Sequence, residues 1–186
     1  NPAISITNVN KLKEGKNFAF FNQNTLSHNK DEQTINLGLG FRNLFFEDKI
    51  LFGLNAFYDY AFDDNHRRIG GGLELISSVF DFRSNIYEAQ SDIIFSSNGA
   101  SEEALDGWDA RLDYHLPVGF DLRVFGTYFD WENSAETYEE KGEIYGLAGQ
   151  YGLLKFEAGY RDQDNKKKDA FAKINIVVPL GSVTTS

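Results

Sequence analysis

Ionisable residues recur at alternate positions through long stretches of the chain, as in Asp81 and Arg83, in Asp109, Arg111 and Asp113, and in Asp121 and Arg123. On an extended backbone, side chains two apart share a face, so this spacing sets acids and bases in rows. The chemistry it suits is ion pairing in a confined, poorly solvated space, where charges persist only when partnered. Catalytic groupings are harder to find. His28, His66 and His115 are the only histidines, and the serines of the polar stretches, Ser96, Ser97 and Ser101, stand in no nucleophile pattern with them. His115 beside Asp113 reads as a hydrogen-bonded structural histidine rather than a proton-transfer pair. Gly70, Gly71 and Gly72 are followed by no GK[ST] and no helical pattern, so they read as strand glycines that allow bending and leave room for arginine. Acidic runs such as Asp63 and Asp64, or Asp162, Asp164 and Asn165, read as solvated loops rather than a Ca²⁺ site. No catalytic residue, cofactor or metal ligand is assigned.

The composition narrows the classes further. The 186 residues carry 18 Lys+Arg against 28 Asp+Glu, a net charge of −10, which argues against a nucleic-acid partner. The one dense basic run, Lys166, Lys167 and Lys168, has acidic neighbours. Cysteine is absent, so there is no disulfide framework and no thiolate chemistry. Methionine is absent too, and the chain reads as an excised or processed segment. No apolar run is long enough for a transmembrane helix. The 17 Phe, 9 Tyr and 17 Gly against 3 Pro point to strands and turns.

Period-two alternation supplies the elements that hold the charged rows. In residues 33–42, Ile35, Leu37, Leu39 and Phe41 share one face while Asn36, Gly38, Gly40 and Arg42 share the other. Similar segments cover 50–62, 67–76, 80–88, 108–116, 120–130, 144–151, 153–161 and 170–180, with a less regular one near 18–26. The connections alternate between long polar loops, the extremes being 89–107 and 131–143, and short turns such as 77–79, 117–119 and the Gly152 junction. This predicts an all-β, antiparallel up-and-down transmembrane barrel, with ten strands counted and ten to twelve allowed.

The distribution of charge tests that expectation. One face collects Arg42, Arg68, Arg83, Arg111, Arg123, Lys155, Arg161 and Lys173 against Asp59, Glu74, Asp81, Asp109, Asp113, Asp121 and Glu157. With eight bases and seven acids it is close to neutral, so the excess acid lies in loops and ends. A narrow lumen would demand such balance, and these residues, Lys155 excepted, are the predicted lumen lining. On the apolar face Tyr58, Tyr60, Trp108, Tyr128, Tyr145 and Tyr160 fall near the long-loop ends of their strands, and Tyr114, Phe120 and Tyr151 near the short-turn ends. Two aromatic bands separated by aliphatic residues predict membrane girdles. A soluble ligand-carrying barrel would instead turn Ile35, Leu54, Leu112 and Ile174 toward a dry interior.

The runs INLGLGFR, LFGLNAFYDYAFDDNHRRIGGGLEL and FDFRSNIYEAQSD, followed by DGWDARLDYHLP and FEAGYRD, resemble the β-domain of inverse autotransporters, the intimin and invasin group of outer-membrane adhesins. The resemblance implies a twelve-stranded barrel in the bacterial outer membrane, inserted by the barrel-assembly machinery, whose linker threads the pore and displays a C-terminal passenger. On this basis residues 1–17 are an N-terminal segment that could add a strand and turn. Residues 18–180 form the barrel, and 181–186 start a linker or tail. The expected role is a non-enzymatic anchor and translocator in contact with outer-membrane lipid and its own linker and passenger. The alternative is a small passive pore or structural barrel without passenger.

Overall fold

Alternating polar and apolar side chains with few prolines favour extended backbone, and every element of the chain described is a strand. The computed structural model describes residues 3–29, 32–63, 65–90, 94–95, 101–102, 105–133, 138–164 and 166–177. The strands are β1 (Ala3–Glu14), β2 (Phe18–Asn29), β3 (Glu32–Phe45), β4 (Ile50–Ala61), β5 (Arg67–Ser77) and β6 (Phe80–Ala89). They continue with β7 (Ile94–Phe95), β8 (Ser101–Glu102), β9 (Asp106–His115), β10 (Asp121–Glu132), β11 (Glu139–Tyr151), β12 (Leu154–Gln163) and β13 (Asp169–Ile176). Eleven of them form one antiparallel sheet in the order β1-β2-β3-β4-β5-β6-β9-β10-β11-β12-β13, while β7 and β8 pair only with each other. Each long strand therefore lies beside the next along the chain.

Eleven strands stand where the alternation counts ten. The additional one is β1, which pairs with β2 from Ala3↔Asn29 to Glu14↔Ala19 with a bulge between Lys11 and Lys13. It is hard to see in sequence because both of its faces carry polar residues. It falls in the N-terminal segment where the sequence allows an added strand and turn, and the count stays within the ten to twelve expected. The predicted loop 131–143 is also shorter than expected, since Trp131↔Glu140 and Glu132↔Glu139 continue the β10–β11 ladder. Backbone pairing needs no apolar side chain, so it runs on past the alternating segment. Ser96, Ser97, Asp64, Asn165 and the tail 181–186 lie outside the described residues.

Register fixes the two faces, because directly paired residues point the same way. Leu54 pairs with Leu73 and Phe41, and Ala110 pairs with Ser84 and Tyr128, on one face. Leu54, Leu112 and Ile174 are exposed, so no dry interior forms around them. The other face is concave: Arg111 on β9 reaches Glu157 on β12, and Arg68 on β5 reaches Trp131 on β10, each across intervening strands. The small buried core lies here, built from Phe125, Phe129 and Ala148.

Turn chemistry shapes one rim. The Ser77 hydroxyl accepts from the amides of Val79 and Phe80 and donates to the Phe80 carbonyl, closing the β5–β6 turn. Gly152 takes φ 59° between β11 and β12, where a side chain would be strained. The β3–β4 turn places three successive non-glycine residues, Phe46, Glu47 and Asp48, at φ 52°, 57° and 65°.

Candidate functional site

The concave face carries the predicted lumen residues, and their contacts fall into two groups. In the first, Arg68 donates to Asp59, which also accepts from Asn36. The Arg68 guanidinium lies 4.6 Å from the Tyr87 ring centre and 5.6 Å from that of Trp131, and those two rings are 4.7 Å apart. The Tyr87 hydroxyl and the Asn85 amide both donate to Asp109, at 2.8 and 3.0 Å. On the same wall, nearer the short turns, Arg42 donates to Glu74.

The second group is denser and drier. Asp113, 0% exposed, receives Arg111 through two hydrogen bonds of 2.9 and 3.0 Å and has Arg83 at 3.6 Å and Arg123 at 3.9 Å. Such forked guanidinium–carboxylate pairing is directional as well as electrostatic. Arg111 also donates to Glu157 at 3.0 Å and stacks 3.9 Å from the ring centre of Phe125, itself 2% exposed. Asp81 accepts from Arg83 at 3.1 Å and lies 3.2 Å from His115 Nε2 and 3.9 Å from Arg123. Asp121 sits 3.1 Å from Arg123 at the rim of the cluster. Burial of so many ions is sustained because Asp81, Asp113 and the three arginines each share two or more partners, while Glu157 and Asp121 pair with one arginine apiece.

Arg161 and Lys173 share this face but lie outside both groups. Arg161 Nε is shielded and has no hydrogen-bond partner, and Lys173 sits opposite Glu157 with its ammonium 5.5 Å from the Phe171 ring centre. Among the described residues, no three His, Asp or Glu side chains are placed to hold a metal ion.

Alternation does not show that this face is also aromatic. Phe21, Phe57, Tyr87, Phe125, Phe129 and Trp131 all point to it, and the glycines make room for them. A Cβ on Gly40 would stand 2.2 Å from the Phe21 ring, and one on Gly70 would stand 2.3 Å from Phe57. Gly72 makes space for Asn55 and Asn85. The strand glycines therefore accommodate aromatic and amide side chains rather than the expected arginines. A clue in sequence is that Phe57, Tyr87 and Phe125 fall on the polar parity of their strands.

The opposite face carries the predicted girdle residues. Toward the long loops, Trp108 stacks on Tyr128 at 5.2 Å and Tyr145 on Tyr160 at 6.2 Å, while Tyr58 and Tyr60 stand on β4 and the Tyr60 hydroxyl donates to Asn65. Toward the short turns, Phe120 meets Tyr151 at 6.5 Å, Tyr114 is exposed, and Phe18, Phe20 and Phe41 cluster. Near the long-loop rim, Glu140 accepts from Tyr138 and Gln163 and pairs with Lys166 at 3.1 Å.

The arrangement is thus a continuous sheet with a mainly apolar convex face and a charged concave face. The sequence profile of the inverse autotransporter β-domain matches residues 4–186. The chain belongs to that family. This β-domain is accordingly an outer-membrane β-barrel domain. Its fold is similar to a chain from a study entitled Unveiling the Mechanism Behind the in-meso Crystallization of Membrane Proteins. The TM-score is 0.78 at 21% identity, over 91% of this chain and 76% of the other. CdiB from Acinetobacter baumannii aligns with 92% of the β-domain and 41% of its own chain, at 10% identity and a TM-score of 0.47.

Proposed function

We propose that this β-domain anchors an inverse autotransporter in the outer membrane and conducts the export of a C-terminal passenger, without enzymatic chemistry. The observation that carries this reading is the division of the concave face. One wall, formed by β6, β9, β10 and β11, is closed by Phe125, Phe129 and the paired ions around Asp113. The other, on β2 to β5 with the edge of β6, keeps a groove of about 360 Å³ whose lining sets the amides of Gln23, Asn36, Asn55 and Asn85 among the ion pairs Arg42–Glu74 and Asp59–Arg68 and the rings of Phe21, Phe57 and Tyr87. A passing extended segment needs amide partners for its backbone and gains nothing from deep ionic traps, because paired charges attract it weakly. In this reading the charged residues of the concave face line the lumen, the two aromatic bands sit at headgroup depth, and the barrel-assembly machinery inserts the domain.

An epitope-tagged extended segment fused after Ser186 tests it. Antibody should reach the tag on intact cells. A tag reached only after the outer membrane is permeabilised would overturn the export role. The groove also favours a second reading, a passive pore without passenger. Planar-bilayer recording separates the two, since a passive pore conducts steadily and a linker-filled barrel stays largely closed.

A further inference from the structure

The turns along the short-turn rim are of two kinds. The β5–β6, β9–β10 and β11–β12 turns follow one another along the sheet, and residues 77–80, 116–120 and 151–154 include no charged side chain. Their tips are apolar instead. Val79, Val118 and Leu153 are 52%, 48% and 54% exposed, although turns that face water favour glycine, asparagine, aspartate or serine. The β1–β2 and β3–β4 turns are charged, with Lys13, Glu14 and Lys16 at one and Glu47, Asp48 and Lys49 at the other. The backbone of the apolar turns is provided for internally. The carbonyls of Val79, Leu116 and Leu153 accept from the amides of His115, Val118 and Val177 at 2.8, 2.8 and 2.9 Å. The Gly152 carbonyl accepts from the Gln150 side chain at 2.9 Å, and the Ser77 hydroxyl takes two amides of its own turn. Such turns have little need of water.

What covers these tips follows from where they stand. Val79 is one residue from Phe80, which pairs with Tyr114, while Val118 and Leu153 are each two residues from the Phe120 and Tyr151 rings that meet on the convex face. At about 3.3 Å of rise per residue, the tips lie within about 7 Å of that aromatic band. The polar layer on either side of the hydrocarbon is roughly 5 to 7 Å deep, so tips that follow rings at headgroup level are still among headgroups. The arc therefore continues the membrane-facing surface. Valine and leucine are favourable at the boundary of headgroups and acyl chains, and an uncharged arc offers an acidic or basic protein surface nothing to pair with. The charged turns of β1 to β4 are drawn to water instead.

We propose that the rim from β5 to β12 is an interfacial anchor. Val79, Val118 and Leu153 are sunk in the lipid of the leaflet on the short-turn side, while the β1–β2 and β3–β4 turns stay in water, so the domain is seated unevenly in the bilayer. The proposal rests on the aromatic band lying at headgroup depth, which a label at Tyr114 reads separately. Because the chain has no cysteine, a single replacement carries a nitroxide to one chosen place. Val79→Cys, Val118→Cys and Leu153→Cys are compared with Lys16→Cys and Asp48→Cys, each labelled and folded in phosphatidylcholine vesicles with a water-soluble nickel chelate on both sides. Relaxation by nickel should be about fivefold weaker at the three tips than at Lys16 and Asp48, and relaxation by oxygen, which concentrates in lipid, should be stronger. Adding Val118→Glu to Leu153→Cys should raise nickel access at least about twofold, since a carboxylate is pulled toward water whatever the label prefers. Equal access at tips and controls, equal protection of all five sites, or no response to Val118→Glu would overturn the proposal. Tips open to nickel in vesicles but shielded in isolated outer membranes would also overturn it and assign the arc to a protein partner. If Tyr114→Cys is itself open to nickel, the placement of the band fails and the anchor with it, whereas a shielded Tyr114→Cys beside open tips refutes the anchor alone.

Discussion

Replacing Arg111 with methionine probes the dry wall most directly. The substitution removes two hydrogen bonds to fully buried Asp113, one to Glu157, and the stack on Phe125. Breaking one partner out of a buried pair costs about 3 to 5 kcal/mol, and the low end applies because Arg83 at 3.6 Å and Arg123 at 3.9 Å still face Asp113. The lost cation–π contact adds about 1 kcal/mol, and a thioether against the Phe125 ring returns part of it. The expected total is about 3 kcal/mol. Asp113→Asn alone leaves three guanidiniums short of an anion and should cost about 2 kcal/mol. The double variant removes both halves of the mismatch, so its cost should fall about 2 kcal/mol short of the sum. Urea unfolding from lipid vesicles, followed by the emission of Trp108 and Trp131, the only tryptophans, measures all three. Additive costs, or a single-variant loss under about 0.5 kcal/mol, would refute the argument that this pair is coupled and buried.

Three further expectations use the same vesicle system or its loops. Leu73→Arg on the convex face should destabilise by about 2 to 4 kcal/mol, while Gln23→Arg on the concave face should cost well under half as much; equal penalties would mean the faces are misassigned. At the β3–β4 turn, Glu47→Gly should stabilise by about 0.5 kcal/mol by relieving left-handed strain, and Glu47→Val should destabilise by about 1 kcal/mol or more, so the reverse order would count against that strain. The Tyr138 hydroxyl, with Lys166 and Gln163, holds the Glu140 carboxyl below the usual carboxylate range. A depressed folded value means that the tie is present at neutral pH and is lost only as pH falls through that lowered value. Tyr138→Phe should move the Glu140 midpoint upward in an NMR titration, and an unchanged midpoint would exclude the hydroxyl as its main cause.

Much of this architecture is legible in the chain because pleating forces alternate residues apart, so the parity of Ile35, Leu54, Leu112 and Ile174 against Arg42, Arg68 and Arg111 already separates two environments. Parity fails at β1, where Ile4 and Ile6 give way to Asn8 and Asn10 on one face while Ser5 and Thr7 occupy the other. Nor does it specify partners. Arg111 meets Glu157 because the sheet curves through three strand spacings, a distance that neither residue's neighbours encode. The same curvature brings Tyr87 against Trp131 and buries Phe125, so inward aromatics that look like exceptions to the alternation become the packing of the wall.

The unequal packing of the two walls has a mechanical consequence. Side chains in contact on all sides yield little under load, and the stretch around Phe125, Phe129 and Asp113 is almost closed to solvent. The glycine-bearing strands β3 to β5 still have slack beside their amides. A bulky object forced along the bore would therefore bow that side outward while the opposite side holds its shape, and the resistance to its passage would depend on which way its bulk is turned.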